Sequence, residues 1–124
     1  MAIALPLGLL LSTPPIQAAV PTRLSPDQVS TALDRVPSWT TDGQTLSCTY
    51  RFDNFVESVA FVNRLVEPAE QLAHHPDLTI VYNKVHISLT THDAGGLTEL
   101  DFALAEAIAA ASGEPGEAGR SCEG

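Results

Sequence analysis

Apolar and polar positions follow two periods along this chain, and the switches between them mark its elements. From Leu24 the spacing is helical, with Val29, Leu33 and Val36 on one stripe. Ser25 suits the N-cap, Pro26 the first helical position, and Gln28 completes a capping box with Ser25. Leu24 and Val29 can staple the start, and Pro37 ends the helix. The period then drops to two. Trp39 to Thr41 and Thr45 to Phe52 read as strands joined by an Asp42-Gly43 hairpin turn. In the second strand Leu46, Cys48, Tyr50 and Phe52 face one way, and Thr45, Ser47, Thr49 and Arg51 the other.

Helical spacing returns after Asp53, which reads as the next cap. Phe55, Val59, Val62, Val66, Ala69 and Ala73 form the stripe, widened by Phe61, Leu65 and Leu72. Pro68 inside it predicts a kink or a split, and Pro76 predicts an end near His75. Thr79 to Thr91 reads as one long strand, with Val81, Asn83, Val85, Ile87 and Leu89 on one face. Tyr82, Lys84, His86, Ser88 and Thr90 take the other face, and His92 continues it just past the end. After the turn Asp93-Ala94-Gly95-Gly96, Thr98 caps a last helix with Asp101 at its third position. Leu97 and Phe102 staple it, and Leu100, Leu104 and Ile108 form its stripe. The predicted fold is α+β: an antiparallel sheet with helices on one face, in the order α-β-β-α-β-α.

Composition narrows the classes. The 124 residues suit one domain, 44% of them apolar, enough for a core without metal or disulfides. A formal charge of −9 with only six Lys and Arg argues against a nucleic-acid surface and against anionic membranes. Residues 1–22 form an N-terminal extension. Ile3 to Leu11 is apolar and Ala18-Ala19 resembles a cleavage site, but no Lys or Arg precedes the run and Pro6, Pro14 and Pro15 interrupt it. A disordered extension, with the protein in the cytoplasm, is the leading reading; a signal peptide and export are the alternative. Residues 23–111 form the folded domain, and 112–124 an acidic, Gly- and Glu-rich tail expected to be disordered. Cys48 is expected to be an inert core thiol, with a disulfide to Cys122 the lesser alternative.

The chemistry concentrates in one stretch. All four histidines fall between His74 and His92, and histidine is the side chain that titrates nearest neutral pH. A helix C-terminus at His74 and His75, with Glu70 one turn before His74, would favour the protonated ring, the form that donates a proton. The bland reading is a pair that caps the last carbonyls. His86 and His92 would stand about 20 Å apart along a straight strand, too far for one site. No spacing suits a metal ligand set, so no metal is expected. Asp101 has two open readings, a cap for the last helix or a carboxylate behind the site. Trp39 and Tyr82 are expected to pack rather than to stack on a ligand.

The segments His74-His75-Pro76, Val81-Tyr82-Asn83-Lys84-Val85-His86-Ile87, Leu89-Thr90-Thr91-His92 and Gly96-Leu97-Thr98-Glu99, with Asp101, resemble the signature of the pterin-4a-carbinolamine dehydratases. Trp39 and Tyr50 to Phe55 extend the resemblance, which runs from about Leu24 to about Ala110. Pro68 and the two termini depart from it. The resemblance implies dehydration of 4a-hydroxytetrahydrobiopterin to quinonoid dihydropterin in tetrahydrobiopterin recycling, without cofactor or metal. It puts catalytic weight on His74, His75 and His92, with Glu70, Pro76 and Asp101 binding substrate or supporting them. It further implies a dimer or tetramer and an aromatic amino-acid hydroxylase acting in the same pathway. The alternative is a non-catalytic pterin-binding or dimerisation module on the same fold, since one family member also partners a transcription factor. A related pterin activity, for instance in molybdopterin metabolism, is a third reading.

Overall fold

The computed structural model describes residues 21–113 and Cys122. Residues 1–20 lie outside the described part, as does most of the tail; the expectations for those segments fall there. Three helices and four strands follow in the order α1 (Pro26–Leu33), β1 (Thr40–Thr41), β2 (Leu46–Arg51), α2 (Phe55–Leu72), β3 (Asp77–Val81), β4 (Lys84–Leu89) and α3 (Glu99–Ala111). The sheet is antiparallel throughout, in the order β1-β2-β4-β3. The α+β class expected from the periodicity is the one observed.

Both capping boxes form. Ser25 and Gln28 exchange bonds at the start of α1, and Thr98 and Asp101 at the start of α3. At the first hairpin the Asp42 carboxylate accepts from the Gln44 and Thr45 N–H groups and the Thr45 hydroxyl, which holds its pKa below the ordinary value. The inner face of the sheet is Leu46, Cys48 and Tyr50 on β2 and Val85, Ile87 and Leu89 on β4. It packs on Phe61, Leu65 and Ala69 of α2 and Phe102, Leu104, Ala105 and Ile108 of α3 in one core. Trp39 is buried there, edge-on to Tyr50. Arg35 reaches across to Glu99 at 2.5 Å and to Glu106, tying the end of α1 to α3.

Several expectations need correction. The single strand from Thr79 to Thr91 is a hairpin, so the order gains a strand. Tyr82 and Asn83 turn the chain, Tyr82 in the left-handed region at φ 51°, where a non-glycine residue is uncommon. The Asn83 amide donates to the Phe52 carbonyl at 3.0 Å, and the Phe52 N–H donates to the Asn83 carbonyl at 2.7 Å, pinning the turn to the end of β2. The turn flips the phase. Val81 pairs with Lys84, while Leu78 and Ile80 stand opposite Ile87 and Val85. Tyr82, expected to pack, is exposed at the hairpin tip.

In α2 the cap is Asn54, not Asp53; its side chain accepts from the Glu57 N–H, and Glu57 reaches back to the Asp53 N–H. The buried stripe is Ser58, Phe61, Leu65 and Ala69, rotated from the expected one, and Phe55 and Val66 are exposed. Pro68 neither splits nor ends the helix, which runs unbroken to Leu72. Cys48 is buried as expected but is not a thiol. It is bonded to Cys122, with the two Cα atoms 5.4 Å apart.

Candidate active site

The site begins with the way α2 ends. Ala73 adopts the left-handed conformation at φ 49°. The His74 N–H donates to the Ala69 carbonyl at 3.0 Å, and the Ala73 N–H to the Glu70 carbonyl at 3.1 Å. This paired closure is a Schellman motif, usually built on glycine. It stops the helix short of the position Pro76 suggested and turns the two histidines away from each other.

The partners change as a result. Glu70 does not meet His74. Its Oε1 lies 2.8 Å from His75 Nε2, an exposed pair. His74 points inward, its side chain 11% exposed, and its Nε2 lies 2.5 Å from Oδ1 of the fully buried Asp101. The other Asp101 oxygen accepts from the Thr98 N–H at 2.9 Å and the Thr91 hydroxyl at 2.8 Å. The two open readings of Asp101 therefore combine, since one oxygen caps α3 and the other meets an imidazole. A carboxylate that accepts at both oxygens takes the Nε2–H of His74, which leaves Nδ1 as the nitrogen available for chemistry.

His92 opens a short 3-10 turn, His92–Ala94, that Gly95 closes at φ 73° with its N–H on the His92 carbonyl. The preceding Thr91 forms an isolated bridge with Gly96, and its side chain is buried beside Asp101. His92 itself is exposed. Pro76 is half-buried between the histidine pair and the start of β3. His86 is apart from this group, on the open face of the sheet, its Nδ1 2.9 Å from the Thr49 hydroxyl. Among the described residues no group of three His, Cys, Asp or Glu side chains could hold a metal ion. A groove of about 580 Å³ between α1 and the first hairpin is lined by none of the histidines. Thr98 caps α3 as expected, but the Thr91 hydroxyl's contacts with Thr98 and Asp101 were not foreseen from sequence; the adjacency of Thr91 to His92 was the available signal.

A small α+β domain thus sets a buried aspartate against an inward histidine, and Thr91, which bonds the same aspartate, directly precedes a second, exposed histidine on a glycine-closed turn. The family model described as pterin 4 alpha carbinolamine dehydratase matches residues 22–111, and the chain belongs to that family, one of hydro-lyases. A protein of Nostoc sp. (strain PCC 7120), provisionally named a pterin-4-alpha-carbinolamine dehydratase, is 51% identical over 85 residues, covering 68% of this chain and 91% of its own. A protein of Thermomicrobium roseum with the same provisional name is 52% identical over 87 residues, covering 70% and 94%. The crystal structure of a transcriptional coactivator/pterin dehydratase from Brucella melitensis aligns with a TM-score of 0.70 and 32% identity, over 74% of this chain and 100% of that one. Among the described residues no helix is long and apolar enough to cross a membrane.

Proposed function

We propose that this chain dehydrates pterin-4a-carbinolamine, 4a-hydroxytetrahydrobiopterin, to quinonoid dihydropterin by histidine acid–base catalysis, as a step in tetrahydrobiopterin recycling. The observation that carries the reading is the buried Asp101–His74 pair within a member of this family. In the reaction the C4a–O bond breaks, a proton joins the leaving hydroxyl to make water, and the N5–H electron pair becomes the N5=C4a double bond. One acid near the hydroxyl and one base near N5 complete the balance, so the chain needs no redox cofactor and no metal for it.

His74 is the acid. The Asp101 carboxylate on Nε2 stabilises positive charge on the ring, much as the buried aspartate of a hydrolase triad does, and Nδ1–H is the proton it delivers. His92 is the base, and exchange of these two roles is the variant mechanism. His75, aligned by Glu70, orients the pterin, and Pro76 fixes the backbone between the pair and β3. His74→Ala and His92→Ala each should lose on the order of 10²–10⁴ in rate. Full activity in both, measured by absorbance decay of the carbinolamine, would refute the mechanism.

A second reading has its own support. Phe55, Val56 and Val66 leave apolar surface exposed on α2, and Val81 and Tyr82 do so at the β3–β4 hairpin. Such a surface suits a homo-oligomer, dimer or tetramer, or a non-catalytic interaction module on the same fold. Light scattering on the purified protein tests the first. A folded protein that binds pterin without turnover would favour the second. An aromatic amino-acid hydroxylase would supply the substrate.

A further inference from the structure

We propose that Thr91 is a positioning residue for this reaction, setting the Asp101 carboxylate, and through it the His74 ring, while its backbone seats His92. The inference rests on the reading of His74 and His92 as the acid–base pair.

The hydrogen count gives the direction of the network. The Thr91 hydroxyl has one hydrogen, and it donates to Asp101 Oδ2 at 2.8 Å. Its 2.8 Å contact with the Thr98 hydroxyl must then run from Thr98 to Thr91. Thr98 in turn accepts the Leu100 N–H at 3.3 Å. Every hydrogen in the chain Leu100–Thr98–Thr91 thus points toward Asp101. Oδ2 is filled by the Thr91 hydroxyl and the Thr98 N–H, and Oδ1 is left to His74 Nε2. Thr91, Thr98 and Asp101 are buried at 6%, 0% and 0% exposure. Water cannot replace a missing partner there, so the network holds one arrangement.

The bland reading of Thr91 fails. It precedes the 3-10 turn as an N-cap, yet its side chain makes no capping bond to that turn. Capping of α3 is already complete with Thr98 and Asp101. Packing alone would accept valine. Among the described residues the hydroxyl serves only Asp101 and Thr98. Meanwhile the Thr91 backbone bonds Gly96 at 3.1 and 3.3 Å and accepts from Ala94 at 3.1 Å, which fixes the residue directly before His92. One residue therefore holds the carboxylate behind one proposed catalytic imidazole and the backbone that leads into the other.

The test uses Thr91→Val and Thr91→Ser in the full chain, with His74→Ala as reference. Thr91→Val should lower kcat on the order of tenfold with KM within about twofold, as loss of an outer partner of a functional imidazole does. Thr91→Ser should restore kcat to within about threefold, on the same comparison. In ¹⁵N NMR of the imidazoles, the wild type should keep a slowly exchanging proton on His74 Nε2 whether Nδ1 is protonated or not, and Thr91→Val should lose that protection. If Thr91→Val keeps wild-type kcat while His74→Ala is inactive, the inference falls and the proposed function stands. If His74→Ala is fully active, the acid–base reading falls first. Should Thr91→Val fail to fold by circular dichroism, the wild-type and Thr91→Ser spectra decide, and a His74 Nε2 without a protected proton in either overturns the inference.

Discussion

Asp101 Oδ1 stands 2.5 Å from His74 Nε2, joining the start of α3 to the second residue past α2. Because the same carboxylate caps α3, the helix that anchors the core also aims the imidazole. Asp101→Asn separates the two duties. An amide in place of the carboxylate can still accept from Thr98 but presents a donor or a weaker acceptor to His74. The expected result is a fall in kcat of roughly 10²–10⁴, the range for an impaired general acid or its orienting carboxylate. The buried mismatch should also cost about 1–3 kcal/mol in urea unfolding. Unchanged kcat in a folded variant would sever Asp101 from the chemistry.

His86 lies on the open sheet face, its Nδ1 against the Thr49 hydroxyl rather than Asp101. His86→Ala should keep kcat/KM within about twofold of wild type, since surface changes away from a site have small effects. A large loss in steady-state kinetics would place His86 in the site after all.

Ala73 closes α2 in a conformation that glycine adopts without penalty. The left-handed strain on alanine is about 1–2 kcal/mol, and glycine costs about 0.5–1 kcal/mol in chain entropy. Ala73→Gly should therefore raise stability by about 0.5–1 kcal/mol in urea unfolding. A clear loss of stability would mean the helix ends differently.

The Cys48–Cys122 bond ties the tail to the inner face of β2 across 74 residues of sequence. Reduction, or Cys122→Ser, should lower stability by about 2–4 kcal/mol, read as a shift in unfolding with and without reductant.

Tyr50 is the group whose titration should mark the alkaline limit. Burial pushes its pKa up to about 12, while Trp39 and Ser112 act in the opposite sense. A folded value above the ordinary one near 10 means the stabilisation is complete below pH 10 and is lost as pH rises toward 12. The amount at stake is roughly 2–3 kcal/mol. Tyr50→Phe should flatten the alkaline part of the stability curve, and an identical curve would remove Tyr50 as the cause.

The elements with local punctuation were legible in the sequence. Ser25 with Gln28 and Thr98 with Asp101 marked two helix starts, and Asp42-Gly43 marked the first hairpin. The elements without it were not. Tyr82-Asn83 lacks the glycine that announces a two-residue turn, so β3 and β4 read as one strand. Ala73 likewise hid the helix end, and with it the exchange of partners that gives Glu70 to His75 and Asp101 to His74. The histidines themselves stood out by residue type and spacing. Thr91 did not, because its bonds reach across a turn to a carboxylate ten residues away.

The most direct measurement follows the absorbance decay of a 4a-hydroxytetrahydropterin, generated by an aromatic hydroxylase, with and without this protein. Acceleration by the wild type that disappears in His74→Ala, with His86→Ala still active, is the outcome expected here. No acceleration by folded wild-type protein, or an undiminished rate in His74→Ala, would contradict it.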